Sequence, residues 1–235
     1  LGIPGVALEG VHKAMGMVWD VYHRNIDSMK GYVIVVGGGN VALDAARTSL
    51  RLGAEKVTIL YRRSRHEMPA TIDEVNHALE EGVDIVELSS PTKVIGKDGQ
   101  VSGLECIKMA LGEADASGRR RPIPQKGSEY VIDCDEVIMA IGQSISLDFI
   151  NDNGSLSSRG ALVVSDSMKT NITGVFGGGD CVTGPSSVID AIAAGAKAAQ
   201  SIDAYLRDRQ ESQKDPQYPE KVWLTEETIV DLRVR

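Results

Sequence analysis

A run of glycines at residues 37–39 is the first feature of this sequence that could do chemistry. Residues 37–42 read GGGNVA, which follows the pattern G-x-G-x-x-A between an apolar run and a helical one. In this pattern Gly37 permits a tight turn, Gly39 lets a diphosphate approach the backbone, and Ala42 allows the helix to pack closely. The free N–H groups and the positive dipole end at a helix start favour an anion. The segment predicts a diphosphate-binding turn; outside this context, a packing turn would be an equal interpretation.

Two adjacent arginines, Arg62 and Arg63, stand at the end of the second apolar run. Dinucleotide sites that select NAD place a carboxylate there to bind the ribose 2′-hydroxyl, and that carboxylate would repel a 2′-phosphate. A guanidinium stays charged and can donate two hydrogen bonds to phosphate oxygens. We therefore predict that Arg62 and Arg63 select NADPH over NADH, with Arg65 as a further candidate. The alternative is a solvated arginine cluster at a strand end.

The elements around these residues form a strand–helix–strand pattern. Residues 32–36, YVIVV, predict a central parallel strand that is buried on both faces. Residues 40–52 predict a helix that ends near Gly53, and residues 56–61, KVTILY, predict the next strand. This order within about 30 residues predicts a right-handed βαβ unit of an α/β fold.

Two further helices are predicted from apolar residues at helical spacing. Their inward faces are expected to be Val11, Met15, Val18 and Tyr22 in the first helix, and Ile72, Val75 and Leu79 in the second.

The stretch from residue 92 to residue 142 predicts strands. Asp98 and Gly99 indicate a hairpin turn between two antiparallel strands. Residues 112–129 are polar and rich in turn formers, so a surface loop is predicted, with the arginines at 119–121 as a solvated charge run. Residues 136–142 predict another buried strand.

A second organisation begins near residue 145. The sequence predicts a short strand, a turn at residues 171–174, a strand that runs into the glycines at 177–179, and a helix from about residue 186 to residue 206. Residues 207–221 are charged and poor in aliphatic side chains, which is typical of a linker.

Composition excludes several classes of function. A net charge of −8 and a pI near 5.1 argue against a general nucleic-acid surface. Neither a membrane span nor a secretory signal is predicted, so the expected location is cytoplasmic. Cys106, Cys134 and Cys181 show no C-x-x-C spacing and are expected to be buried reduced thiols. The four histidines lack ligand spacing, and no metal site is predicted.

Three motifs, taken in order, resemble one family. They are GGGNVALDAARTSLRLGAEKVTILYRRSRHEMPA at 37–70, IMAIGQ at 138–143 and TNITGVFGGGDCVTGPSSVIDAIAAGAKAA at 170–199. Over about residues 1–208 the chain resembles the small (β) subunit of NADPH-dependent glutamate synthase and its relatives. These include domains of dihydropyrimidine dehydrogenase and of the large subunit of NADH-dependent ferredoxin:NADP oxidoreductase. The resemblance implies an NADP domain inserted in an FAD domain, with hydride passing from NADPH to FAD and then electrons to iron–sulfur clusters or a partner subunit.

The resemblance also implies cofactor-binding residues. The diphosphate is assigned to Gly37, Gly38, Gly39, Asn40 and Val41, and the 2′-phosphate to Arg62 and Arg63. The strand-end motif that crosses between the domains is matched by Ala140, Ile141 and Gly142. The second FAD motif is matched by Gly179 and Asp180, whose carboxylate accepts a hydrogen bond from a ribityl hydroxyl. Hydride transfer between two cofactors needs positioning and no side-chain nucleophile, so no catalytic residue is predicted.

The chain departs from the family at its start. The first FAD-binding motif and the cysteine-rich cluster segment are not found, and LGIPG resembles the middle of the family sequence. We therefore expect a Rossmann-like NADP(H)-binding domain over residues 30–143, inserted in a partial FAD-binding domain over 1–29 and 144–208, with a linker or tail over 209–235. FAD binding is expected to be weak or absent in this chain, whose partner would be the missing N-terminal FAD and iron–sulfur portion or a separate subunit. The chain alone is expected to be inactive, and the alternative function is a catalytically silent NADPH-binding scaffold.

Overall fold

The structure is a computed structural model that describes residues 2–115, 118–142, 145–147, 150 and 160–207. The chain divides into two compact units, residues 1–142 and residues 143–235. The predicted tail over residues 209–235 lies outside the described residues.

The first unit contains two sheets. Its elements in chain order are β1 (Val11–Lys13), α1 (Ala14–Tyr22), β2 (Tyr32–Val36), α2 (Asn40–Arg51), β3 (Lys56–Leu60), a 3-10 turn (Arg65–Glu67), α3 (Ile72–Glu80), β4 (Asp84–Val86), β5 (Ser89–Lys97), β6 (Gln100–Ala114), β7 (Arg120–Asp133) and β8 (Glu136–Met139). One sheet is parallel, with the order β1-β8-β2-β3-β4, and the other is antiparallel, with the order β5-β6-β7.

The predicted strand–helix–strand unit is present. Strand β2 lies between β8 and β3 and pairs parallel with both. Its residues 33–36 are buried, as expected for a strand covered on both faces. Helix α2 buries Ala42, Ala45 and Ala46, whose small side chains permit close packing of the helix in the core that includes β2 and β3. Burial of these apolar surfaces is the main stabilising term of the unit.

The second sheet corrects the loop predicted over residues 112–129. The hairpin turn is found where it was predicted, with positive φ at Asp98 (55°) and Gly99 (87°). Strand β6 continues to Ala114, however, and β7 begins at Arg120. Proline lacks the N–H of a ladder but is tolerated in an edge strand, and the prolines that suggested a loop lie in β7, at the edge of its sheet.

The first helix buries a different face from the predicted one. Val11 belongs to the edge strand β1, so α1 starts at Ala14 and buries Ala14 and Met17. Met15 and Tyr22, which were expected inside, are exposed. The predicted helical spacing therefore spanned the junction between β1 and α1, and it assigned the wrong face of the helix to the core. In α3, Val75 is buried as predicted but Ile72 is exposed.

Residues 1–29 group with the first unit. Strand β1 pairs parallel with β8, and α1 contacts α2. The assignment of residues 1–29 to a partial FAD-binding domain stays a prediction. Main-chain pairing between β1 and β8 connects segments more than 120 residues apart, which local sequence patterns do not reveal.

The second unit is described mainly over residues 160–207. It contains α4 (Asp180–Thr183) and α5 (Val188–Leu206). Within the described residues the two predicted strands appear only as bridge positions, at Leu162, Lys169 and Phe176, of which Lys169 and Phe176 pair with each other. Helix α5 begins close to the predicted point, where the hydroxyl of Ser187 accepts from the amide of Asp190 at 3.2 Å. Large apolar side chains of α5 are exposed within this unit: Val188, Ile189, Ile192 and Leu206.

Candidate functional site

Three of the predicted sites meet at one edge of the parallel sheet. Val36, the last residue of β2, is in register with Leu60 of β3 and with Met139 of β8. The carboxyl ends of these strands therefore lie side by side, as parallel pairing requires. The glycine turn follows β2, the two arginines follow β3, and residues 140–142 follow β8. Ligands of open α/β sheets bind outside the carboxyl ends of the strands.

The three glycines of the turn differ in what a side chain would meet. A Cβ on Gly37 would lie 2.4 Å from the carbonyl oxygen of Ala140, and its φ is 151°. A Cβ on Gly38 would lie 2.5 Å from the ring of Tyr61. A Cβ on Gly39 would meet only Pro69, at 3.8 Å. Packing therefore explains the first two glycines but not the third, whose missing side chain leaves space for a ligand.

The start of α2 presents free donors beside that space. Within the described residues, the backbone amides of Asn40 and Val41 donate to no backbone or side-chain acceptor. The amides of Ala42 and Leu43 both donate to the carbonyl of Gly39, at 2.9 and 3.3 Å. Two amides and the positive end of the helix are thus available to an anion.

The side chain of Asn40 has a local role. Its Oδ1 accepts a hydrogen bond from the amide of Thr71 at 3.3 Å, which joins the turn to the residue that caps α3. The amide of Ala70 donates to the carbonyl of Gly38 at 3.2 Å. These bonds fix the turn against the segment before α3. Binding by Asn40, predicted from the resemblance, would therefore use its backbone amide.

The two arginines after β3 point to different environments. Arg62 is exposed, and it makes no hydrogen bond or ion pair with the described part of the chain. Arg63 is buried, with 4% of its surface exposed. Its Nε donates to the carbonyl of Arg120 at 2.6 Å, and its Nη2 donates to Oδ2 of Asp115 at 2.7 Å. The placement of Arg63 therefore departs from the prediction that both guanidinium groups face a phosphate.

Arg65, the further candidate, is held by Glu87. Its amide donates to Glu87 Oε2 at 2.8 Å, and its Nε donates to Oε1 at 3.2 Å. The side chain is about half exposed, so this ion pair is weak in energy. Arg62 is consequently the arginine of this segment whose donors face solvent without a partner in the described residues.

Tyr61 and Asp115 have roles that the sequence analysis did not identify. The ring of Tyr61 packs against Gly38, and its hydroxyl donates to the carbonyl of Glu67 at 2.8 Å. Tyr61 therefore stabilises the glycine turn. Asp115 binds Arg63 from a segment that was predicted to be a loop. The position of Tyr61 at the strand end was a signal for the first role, whereas no local pattern indicated the second.

Residues 140–142, which follow β8, lie beside the glycine turn at the same edge of the sheet. The amide of Ala140 donates to the carbonyl of Val36 at 2.8 Å, which extends the pairing of β8 with β2. Ile141 is partly exposed, and Gly142 has a φ of 77°. A positive φ favours glycine, so the chain changes direction at the predicted point.

A separate group of residues forms a groove in the second unit. The groove has a volume of about 350 Å³. Its lining includes Gly178, Gly179, Asp180, Ser186, Ser187 and Ala191. Asp180 is exposed, and its Oδ1 accepts from the amide of Ser186 at 3.2 Å. Gly179 has a φ of 74°, which turns the chain into α4. The structure thus brings the predicted Gly179 and Asp180 together with the start of α5.

Two serine hydroxyls at the start of α5 hold the carboxylate of Asp190 in place. The hydroxyls of Ser187 and Ser186 each donate to Oδ2 of Asp190 at 2.7 Å. These hydrogen bonds lower the pKa of the Asp190 carboxyl from its ordinary value. Asp190 therefore stays ionised and caps the helix start, where the dipole also favours a negative charge.

The cysteines differ in accessibility, and their reactivity should differ accordingly. Burial raises the pKa of Cys106 and of Cys134 to about 12, whereas Cys181 is only half-buried. Because the thiolate is the reactive form, we expect Cys181 to react first with a thiol reagent at pH 8, and the other two only after unfolding. A colourimetric thiol titration of the native and the urea-unfolded protein measures this. A Cys181→Ser variant should lose the fast phase, and equal rates for all three thiols would contradict the expectation.

The described ranges lack both a cluster of metal ligands and a membrane-spanning helix. Those residues contain no group of three or more His, Cys, Asp or Glu side chains arranged to hold a metal ion. Their helices include none with the length and apolar character needed to span a bilayer.

Comparisons with known proteins point in one direction. A family model described as pyridine nucleotide-disulphide oxidoreductase matches residues 1–195. The NADP(+)-dependent formate dehydrogenase subunit beta of Moorella thermoacetica is 48% identical over 182 residues, which is 77% of this chain and 26% of that protein. The glutamate synthase [NADPH] small chain of Azospirillum brasilense is 40% identical over 204 residues, which is 85% of this chain and 42% of that protein. The chain therefore spans less than half the length of these relatives.

A solved structure shares the fold. Thioredoxin reductase of Lactococcus lactis superposes with a TM-score of 0.72 at 23% identity, over 88% of this chain and 62% of that one. The likeness confirms the predicted Rossmann-like α/β architecture.

Proposed function

The chain belongs to the pyridine nucleotide-disulphide oxidoreductase family, and on that premise we propose that it is the NADPH-binding, electron-input portion of a flavin-dependent oxidoreductase of the glutamate synthase small-chain type. The family match agrees with the resemblance found in the motifs, and it supports NADP(H) and FAD as the cofactors. The relatives whose names specify a nucleotide, such as the formate dehydrogenase subunit and the glutamate synthase small chain, specify NADP(+) or NADPH.

The observation that carries the proposal is the open space above Gly39. Among the described residues, a Cβ at position 39 would meet only the ring of Pro69 within 4 Å, while the two neighbouring glycines are required for packing. The backbone amides of Asn40 and Val41, which donate to no acceptor in the described residues, lie at the start of α2 beside this space. A diphosphate satisfies both amides and the helix dipole, and it needs the approach that an alanine at position 39 would obstruct.

Selection of NADPH would depend on Arg62. Arg62 lies at the end of β3, where the ribose of the adenosine half is expected, and its guanidinium is exposed. The chain places no carboxylate at positions 61–65. The 2′-phosphate can therefore be bound by a charged fork of donors without nearby repulsion from this segment.

The groove in the second unit fits part of a flavin site. Asp180 is exposed at the mouth of the groove and retains acceptor capacity beyond its bond from Ser186. A ribityl hydroxyl could donate to this carboxylate, as the resemblance implies. The flavin, when bound, would accept hydride from the nicotinamide. The residues of this chain bind and orient the two cofactors, which is what hydride transfer between cofactors requires of a protein.

The proposed partner is the remainder of a longer protein or complex. The relatives are named as a subunit beta or a small chain, and this chain matches less than half of each. The exposed apolar side chains of α5 would be covered in such an assembly, since contiguous exposed apolar surface often marks an interaction site. We propose that the first FAD-binding motif and an iron–sulfur segment, or a separate subunit, supply that cover and receive the electrons.

Calorimetric titration of the chain with NADPH, NADH and FAD tests the proposal. We expect NADPH to bind at least about 10-fold more tightly than NADH, because the 2′-phosphate adds charge-assisted hydrogen bonds. FAD is expected to bind weakly, since the groove beside Asp180 would contact only part of a flavin cofactor. Equal affinity for NADPH and NADH would refute the assignment of the 2′-phosphate, and absence of binding by both would refute the nucleotide site.

A further inference from the structure

We infer that Arg63 is a positioning residue, which holds the tip of the β6–β7 hairpin against the nucleotide-binding edge, and that the 2′-phosphate is contacted by Arg62. The inference rests on the proposed function, in which this edge binds NADPH. The hairpin tip is defined as two segments. They are residues 109–115, at the end of β6, and residues 118–124, at the start of β7.

The contacts of Arg63 tie the end of β3 to the hairpin tip. Its guanidinium donates to the carbonyl of Arg120 at 2.6 Å and to the carboxylate of Asp115 at 2.7 Å. The side chain of Arg63 is 5% exposed and that of Asp115 is 26% exposed. Both bonds are therefore shielded from water on the arginine side, whereas Arg65 in the pair with Glu87 is about half exposed. Shielded pairs of this kind are screened little by salt.

The hairpin tip needs such support because it extends beyond its sheet. Pairing of β5 with β6 covers β6 only from Gln100 to Lys108. Beyond Lys108, β6 pairs with β7 alone, as far as Ala114 opposite Arg120. Isolated two-stranded ribbons are at best marginally stable in water. One backbone bond, from the amide of Met109 to the carbonyl of Leu88 at 2.7 Å, anchors the base of the tip, and Arg63 anchors its end.

Competition for Arg63 favours this role over direct phosphate binding. A phosphate at Arg63 would have to displace the Asp115 carboxylate and would leave that carboxylate partly buried beside a second anion. Breaking a buried ion pair by removing one partner is strongly unfavourable. Arg62 needs no such exchange, since its donors face solvent. The two arginines lie in a bend after β3, and Arg63 is the one whose guanidinium contacts the hairpin tip.

The tip brings additional positive charge to the nucleotide edge. Residues 119–121 are three consecutive arginines. Arg120 folds back on the tip, where its guanidinium donates to the carbonyls of Leu111 at 3.0 Å and Gly112 at 3.3 Å. The carbonyl of Arg120 accepts a hydrogen bond from the side chain of Arg63, so the run of arginines lies next to the residues that follow β3. Glu113 and Asp115 offset two of these three positive charges, so the tip keeps a small positive net charge, which we expect to add modestly to the attraction of a phosphate at Arg62.

An Asp115→Asn variant separates the two roles by the sign of its effect. If Arg63 contacted the phosphate, removal of the competing carboxylate would strengthen NADPH binding. If Arg63 positions the tip, the variant should release the tip and lower the ratio of NADPH to NADH affinity by about 3- to 10-fold. Calorimetric titration with both nucleotides gives the ratio, and hydrogen exchange of residues 109–115 and 118–124 reports docking of the tip.

Controls and further variants keep the outcomes distinguishable. Asp133→Asn, an exposed aspartate at the base of β7, should change neither the ratio nor the exchange. Arg63→Lys retains the charge but loses the planar fork, so it should give a smaller fall in the ratio than Arg63→Ala. The inference is overturned if Asp115→Asn raises or preserves the ratio, or leaves the exchange of the tip unchanged. Failure of the wild-type chain to prefer NADPH would instead count against the proposed function.

Discussion

Replacement of Arg62 by alanine should lower the affinity for NADPH by about 10- to 100-fold and leave the affinity for NADH nearly unchanged. Hydrogen bonds to a charged group contribute about 1.5–3 kcal/mol each, and NADH lacks the phosphate that would receive them. Arg62 is exposed and makes no hydrogen bond or ion pair with the described residues, so its removal should cost little folding stability. The whole effect is therefore expected in the nucleotide preference.

Calorimetric titration of the wild-type and variant chains with both nucleotides measures this effect. Lys30→Ala is a matched control, because Lys30 is also an exposed cation but precedes β2 at the opposite end of the strand. The control should bind both nucleotides as the wild type does. An Arg62→Ala variant that keeps the wild-type preference would show that the phosphate is bound elsewhere.

Replacement of Gly39 by alanine should abolish tight binding of NADPH and NADH alike while leaving the fold intact. The added methyl group would occupy the approach to the amides of Asn40 and Val41, which both nucleotides need for their diphosphate. Loss of two charge-assisted hydrogen bonds corresponds to a fall of on the order of 100-fold or more in affinity. Stability should fall by about 1 kcal/mol or less, since Gly39 has an ordinary φ of −94° and its Cβ would have space.

The neighbouring Gly37 provides the contrast. A Cβ there would approach the carbonyl of Ala140 to 2.4 Å at a φ of 151°, so Gly37→Ala should destabilise the fold by about 2–4 kcal/mol. Urea unfolding of the two variants, followed by circular dichroism, measures the difference. If Gly39→Ala binds NADPH like the wild type, the diphosphate does not lie at this turn. If it unfolds like Gly37→Ala, its space is used by the protein and not by a ligand.

Much of the parallel sheet and its glycine turn was predictable because their determinants are local. The continuous apolar run of β2, the small residues of α2 and the glycines between them each restrict a few consecutive residues to one conformation. The same reasoning located the hairpin turn at Asp98 and Gly99. Such patterns also indicated the start of α5, where a serine caps the helix.

The errors occurred where pairing between distant segments outweighs local preference. Prolines and glycines at residues 112–129 are typical of a loop, yet β7 forms because an edge strand tolerates prolines and β6 supplies its partner. The buried face of the first helix was predicted wrongly because Val11 belongs to the edge strand β1, which pairs with β8. Neither partner is visible within a window of ten or twenty residues.

The sequence by itself determined the type of fold, the turn that can bind a diphosphate, and the presence of arginines where a carboxylate would select NADH. Only the tertiary structure decided which arginine is free. Arg63 is buried because Asp115 and the carbonyl of Arg120 lie against it, 52 and 57 positions away along the chain, while Arg62 remains in solvent. These adjacent residues of the same type have opposite environments because the hairpin tip packs against the side chain of Arg63 and leaves that of Arg62 exposed.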